Sequence, residues 1–126
     1  MTAARWDEYK YFTKKEFDCT ATGENNMQHE FMVILDAIRK DYNKPMRVTS
    51  GFRSVKHPIE AKKTNSNGEH TQGFCADIYC DNGADRYSLV TIALRHGITR
   101  IGIASNFIHL GIGGKGLHNY VIWDYQ

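Results

Sequence analysis

A chain of 126 residues with 41% apolar, 12% aromatic and 24% charged side chains has the make-up of a single globular domain over 1–126, which excludes a disordered, collagenous or low-complexity chain. Its 16 basic and 14 acidic side chains are intermixed and sum to +2, so no block of like charge offers a track for nucleic acid, and none is expected as a partner. The longest nearly uncharged run, 101–114, is broken by Asn, His and Gly and falls short of the ~20 apolar residues that span a bilayer.

The first segment, up to Tyr11, carries Arg5, Asp7, Glu8 and Lys10 and has no apolar stretch of the secretory kind, so a cytoplasmic site of synthesis is expected. Apolar residues at Met27, Phe31, Ile34, Leu35, Ile38 and Tyr42 have the spacing of a helix with one buried stripe, with Asn26 as its N-cap. Asn43, Lys44 and Pro45 end it, because the residue before a proline is pushed out of the helical region. A strand over Met46 to Ser50 follows. From Gly51 to Gly73 there is no sustained period, and Pro58, Asn65, Asn67 and Gly68 mark a long loop with one helical turn after Pro58. A loop of this length in a small domain is usually functional.

Phe74 to Cys80 reads as a strand in which Cys75, Asp77 and Tyr79 share one face and Ala76, Ile78 and Cys80 the other. A second helix is expected over Ala84 to His96, with a Tyr87, Val90 and Leu94 stripe, Asp81 or Asn82 as cap and Gly97 as its left-handed stop. Strands at Arg100 to Ile103, Phe107 to Ile112 and Tyr120 to Trp123 complete the chain. Helices and strands are segregated rather than alternating, which points to an α+β domain with a mainly antiparallel sheet and two principal helices packed on it.

Six histidines invite a search for metal ligands. His70 stands seven residues before the strand residue Asp77, and His109 interrupts an apolar strand, where it faces away from Ile108 and Leu110. Two histidines and a carboxylate can converge on one cation. On spacing alone the plainer reading stays open: a solvated loop histidine, a hydrogen-bonded aspartate and a satisfied core histidine. The three cysteines, Cys19, Cys75 and Cys80, are too few for a disulfide framework and read first as small buried residues, although Cys75 points the same way as Asp77.

Val48-Thr-Ser-Gly-Phe-Arg-Ser54, His57, the run Gly68-Glu-His-Thr-Gln-Gly-Phe-Cys-Ala-Asp-Ile78, Arg100 to Ile103 and Phe107-Ile-His-Leu110 together resemble the zinc D-Ala-D-Ala carboxypeptidase family, the M15-type peptidases of the hedgehog/DD-peptidase fold. The resemblance runs from about Tyr11 to Tyr125 and is nearest to short single-domain phage and bacterial members. It implies Zn2+ as cofactor, His70, Asp77 and His109 as its ligands with a fourth position open for water, and Arg53 as the residue that meets a substrate carboxylate or oxyanion. The implied activity is hydrolysis of peptidoglycan stem or cross-link peptides, of the D-Ala-D-Ala carboxypeptidase or L-Ala-D-Glu endopeptidase type.

The general base is the departure. The family commonly has an acidic residue, or in some members a histidine, a few residues before the third ligand or two after it, where this chain has Ala104, Asn106, Phe107 and Gly111. The candidates left are Glu69, His57, His118 and Asp124. A catalytically impaired zinc-containing binding or structural protein is therefore the alternative. A monomer is expected, with access to the cell wall through phage lysis or a particle.

Overall fold

The computed structural model describes residues 2–63 and 67–125. Asn65, counted above among the loop's turn residues, lies outside them. Two 3-10 turns, Trp6–Glu8 and Lys14–Phe17, precede helix α1, His29–Tyr42. Then come strand β1, Val48–Ser50, the short helices α2, Pro58–Ala61, and α3, Glu69–Gln72, strand β2, Cys75–Tyr79, helix α4, Gly83–Arg95, and strands β3, Arg100–Ile103, β4, Phe107–Gly111, and β5, Val121–Asp124. The five strands form one sheet in the order β1-β2-β4-β3-β5. Every neighbouring pair is antiparallel except β3 with β5, which runs parallel, so the sheet is mixed.

Strand alternation divides the sheet into two faces. Ala76 and Ile78 of β2, Ile108 and Leu110 of β4 and Ile101 of β3 are buried in one cluster with Phe31, Met32, Leu35 and Ile38 of α1 and Leu89, Ile92 and Ala93 of α4. The two long helices pack together against this face. The other face carries Cys75, Asp77 and His109.

Three expectations need correction. α1 starts at His29 and Asn26 is not its cap, because 26–28 is held extended: Ala3 and Gln28 form a β-bridge, the Ala4 amide donates to the Met27 carbonyl, and the Gln28 amide donates to the Gly73 carbonyl. The expected stripe of α4 also differs. Tyr87 and Leu94 are exposed, and Leu89, Ile92 and Ala93 are buried instead, because this helix has apolar residues on two faces and packing selected the other one. Finally, Glu69 to Gln72 form a helical turn inside the long loop. Its terminating residue, Gly73, sits at φ 81° with its α-carbon against the Asn26 carbonyl, a left-handed conformation and a close approach that only glycine accepts without strain. Asn82 does cap α4, its side-chain oxygen accepting from the Asp85 amide at 2.9 Å, and Gly97 follows at φ 90°.

Candidate metal centre

α3 and the β2–β4 pair build the site. The Gly73 turn presses α3 onto residues 26–28, and this presents His70 to the sheet. The Nδ1–H of His70 is matched to the Gly51 carbonyl at 2.8 Å, which leaves Nε2 facing Asp77, 3.4 Å from Oδ2. Asp77 and His109 stand directly opposite each other on β2 and β4, and His109 Nδ1 lies 2.9 Å from Asp77 Oδ1. The other ring nitrogen of His109, Nε2, is 2.6 Å from Oε1 of Glu69. His70, Asp77, His109 and Glu69 are all buried.

Cys75 joins this cluster, on the same face of β2 as Asp77 and two residues earlier. One donor atom each from His70, Cys75 and His109 lie within 4.8 Å of one another. The buried group is thus a candidate metal centre of two imidazoles and a sulfur, with the Asp77 carboxylate bridging both rings.

The electrostatics are those of donors gathered tightly. Burial opposes the charged form of His70, but the Cys75 and Asp77 groups beside it outweigh burial and push it up to about 9. His109 is raised in the same way, with Glu69 contributing. Burial opposes ionisation of Asp77 too, yet hydrogen bonds from His109 and His70 hold its carboxyl well below the usual range. Glu69 is also held low, since His109, Gly113 and Arg100 together overcome its burial. Two imidazoles turned inward by outer hydrogen bonds, with carboxylate and sulfur donors beside them, suit a divalent ion of the zinc type, whose binding would displace the protons that the inward nitrogens carry in the metal-free site.

Asp77 also lines a cleft of about 450 Å3, whose walls include Arg53, His57, Asp18, Phe107 and Tyr125. Arg53 follows β1, its amide donating to the His70 carbonyl, and its Nη1 is 3.4 Å from the buried Glu60 carboxylate. Its Nε is buried and has no hydrogen-bond partner among the described residues, while part of the side chain, 16% exposed, borders the cleft.

The four residues considered as proton acceptors are dispersed. Glu69 lies behind His109, with both oxygens engaged by His109, Arg100 and the Gly113 amide. His57 lines the cleft but caps α2, its Nδ1 accepting from the Ile59 amide at 3.1 Å while Nε2 reaches Thr20 at 3.4 Å. His118 is exposed and meets Arg100 only through its carbonyl. Asp124 is exposed and alternates with Trp123, whose ring lies 5.2 Å from that of His109, so the Asp124 side chain faces away from the metal centre.

Strand alternation puts Cys75 on the Asp77 face, where it can ligate or simply pack, and the structure brings its sulfur within reach of both imidazoles. The role the sequence does not reveal is that of Glu69, which stands among the candidate bases there but bonds the outer nitrogen of His109 in the fold. No local pattern shows that the residue before His70 reaches back to His109.

Among family models, that of the peptidase M15 family matches residues 10–111. Comparison with the curated proteins gives no match.

Proposed function

Because the chain belongs to the peptidase M15 family, we propose that it is a zinc-dependent peptidase that hydrolyses peptide bonds in peptidoglycan stem or cross-link peptides. The α+β architecture with its mixed, mostly antiparallel sheet is the hedgehog/DD-peptidase fold that the family implies. No helix among the described residues is long and apolar enough to cross a membrane. The observation that carries the reading is the orientation of the two imidazoles. Gly51 and Glu69 occupy their outer nitrogens, so His70 Nε2 and His109 Nδ1 both point at Asp77.

His70, Asp77 and His109 would hold the ion, with Cys75 as a further donor within reach. A bound zinc ion supplies Lewis-acid polarisation of the scissile carbonyl and brings the pKa of its water toward ~7. The chain's own contribution is positioning. The cleft beside Asp77 receives the peptide, and Phe107 and Tyr125 give it apolar walls. Arg53, whose guanidinium lines the cleft, meets the substrate's carboxylate or the oxygen on which charge develops. Glu60 holds that guanidinium in place at the cleft edge.

Two observations favour a second reading, a zinc-containing binding or structural protein. None of Glu69, His57, His118 and Asp124 is arranged to accept the proton of an attacking water, and a sulfur as fourth donor would close the coordination that catalysis needs open. One experiment separates the two. Purified protein with its metal content quantified is incubated with peptidoglycan and defined stem peptides, and the products are weighed by mass spectrometry. Loss of a terminal D-Ala, or a cut between L-Ala and D-Glu, supports the peptidase and identifies the bond. One equivalent of zinc with every substrate intact supports the binding protein. Delivery to the wall by phage lysis or a particle belongs to this proposal and is tested by lysis of cells with the protein applied from either side.

A further inference from the structure

We propose that Glu69 is a positioning residue for the metal: it takes the Nε2–H of His109 and thereby fixes the tautomer and the ring angle that aim Nδ1 into the centre. The inference rests on the reading that zinc is held by His70, Asp77 and His109. The geometry is specific. His109 Nε2 lies 2.6 Å from Glu69 Oε1, and the bond is buried on both sides, with 5% and 3% of the two side chains exposed. Glu69 is itself held at both oxygens, by Arg100 Nε at 2.9 Å on Oε1 and by the Gly113 amide at 2.7 Å on Oε2. Its carboxylate therefore has one orientation, and the ring that bonds to it has one as well.

The space for this carboxylate comes from the opposite strand. Gly111 lies two residues beyond His109 on the same face of β4, and a Cβ there would overlap the Glu69 carboxylate. The bare backbone at 111 is what allows a side chain from α3 to pass beneath the ring. Arg100 stands opposite Gly111 on β3, with its guanidinium over the Trp123 ring at 5.1 Å, and so closes the back of the site. Outer hydrogen bonds of this kind raise the basicity of a histidine ligand, and removing them typically costs 10–100-fold in metal affinity.

Zinc affinity of the whole chain, measured by competition with a chromogenic chelator, provides the test, together with the imidazole nitrogen and proton spectrum of the zinc-loaded protein. Glu69→Ala is expected to bind zinc about 10- to 100-fold more weakly and to lose the slowly exchanging His109 Nε2–H resonance. Glu69→Gln keeps the shape, but its amide sets an N–H donor against either His109 or Gly113, so a loss in the same direction is expected. Gly111→Ala leaves Glu69 in the chain but displaces its carboxylate, and should reproduce both effects. If Glu69→Ala does not fold, Glu69→Gln and Gly111→Ala carry the comparison. Glu69 variants with zinc affinity unchanged and the His109 ring proton retained overturn the inference while leaving the zinc reading intact, as does coordination of His109 through Nε2 in the native protein. Native protein that binds no zinc overturns both.

Discussion

Gly51→Ala tests how tightly the fold and the metal centre are joined. Gly51 is buried between the 3-10 turn Lys14–Phe17 and α3, and its carbonyl holds the Nδ1–H of His70 at 2.8 Å. A Cβ there would stand 2.6 Å from the Phe17 α-carbon and 2.8 Å from the Phe17 carbonyl oxygen. Neither contact can give easily. Phe17 is fully buried, and its carbonyl accepts from the Phe52 amide at 2.9 Å. The backbone must therefore shift, and overpacking of this kind costs about 1 to 3 kcal/mol. At roughly 4 °C per kcal/mol for a chain of this length, the melting temperature of the metal-free protein should fall by about 4 to 12 °C. The same shift moves the carbonyl that orients His70, so zinc affinity should fall by about 10- to 100-fold. Gly83→Ala is the control, because nothing lies within 4 Å of a Cβ at that position in the first turn of α4, and its stability should stay level or rise by up to about 1 kcal/mol. Thermal unfolding and chelator competition read the two effects separately. A Gly51→Ala protein that melts within about 2 °C of the native one and binds zinc equally well would refute the reasoning.

Leu35→Ala removes a fully buried side chain from the helix–sheet core and should cost about 2 to 5 kcal/mol, read by urea denaturation; a loss under about 1 kcal/mol would mean that this core collapses around the gap. His109→Ala should abolish stoichiometric zinc and, with it, any release of product from stem peptides; full activity in zinc-free protein would contradict the site. Arg53→Gln should raise KM for a carboxylate-bearing peptide by about 10- to 100-fold, the worth of one hydrogen bond between charged groups, and an unchanged KM and kcat would remove Arg53 from the substrate site. The metal-free protein should lose stability in alkali. His70 is raised when folded, so its contribution is complete below the ordinary imidazole pKa of about 6.5 and is lost as pH rises through about 9. Asp77 is lowered when folded, so its contribution is present above the ordinary carboxylate range and is lost only in acid. Zinc needs neutral imidazoles, so its affinity should rise with pH over the same interval. Calorimetry from pH 6 to pH 9.5, with and without zinc, checks both signs, and a metal-free melting temperature that stays level would count against the first.

Much of the site can be read along the chain. The alternation Cys75, Asp77, Tyr79 put these three side chains on one face of β2, and Ile108 and Leu110 flanking His109 put the histidine on the face away from the core, as the register has them. The ends of the helices were legible because their signals are local. Asn43 takes the left-handed position after α1, Asn82 caps α4, and Gly97 follows it. What failed was ambiguous locally. α4 has two apolar faces, and the choice of Leu89, Ile92 and Ala93 over Tyr87 and Leu94 depends on where α1 and the sheet lie. The start of α1 depends on residues 2–4 and on Gly73, both far away along the chain.

The sequence by itself determined which side chains are present, where the chain turns and which face of each strand they occupy, because dihedral preferences and strand alternation act over a few residues. It did not determine that Asp77 pairs with His109, that the Gly51 carbonyl meets His70, or that Glu69 passes over the bare backbone of Gly111 to reach the far nitrogen of His109. Those contacts span 19 to 40 residues of chain. They exist only when the sheet's register and the docking of α3 are in place, since register is set by burying one whole face of each strand rather than by any one residue.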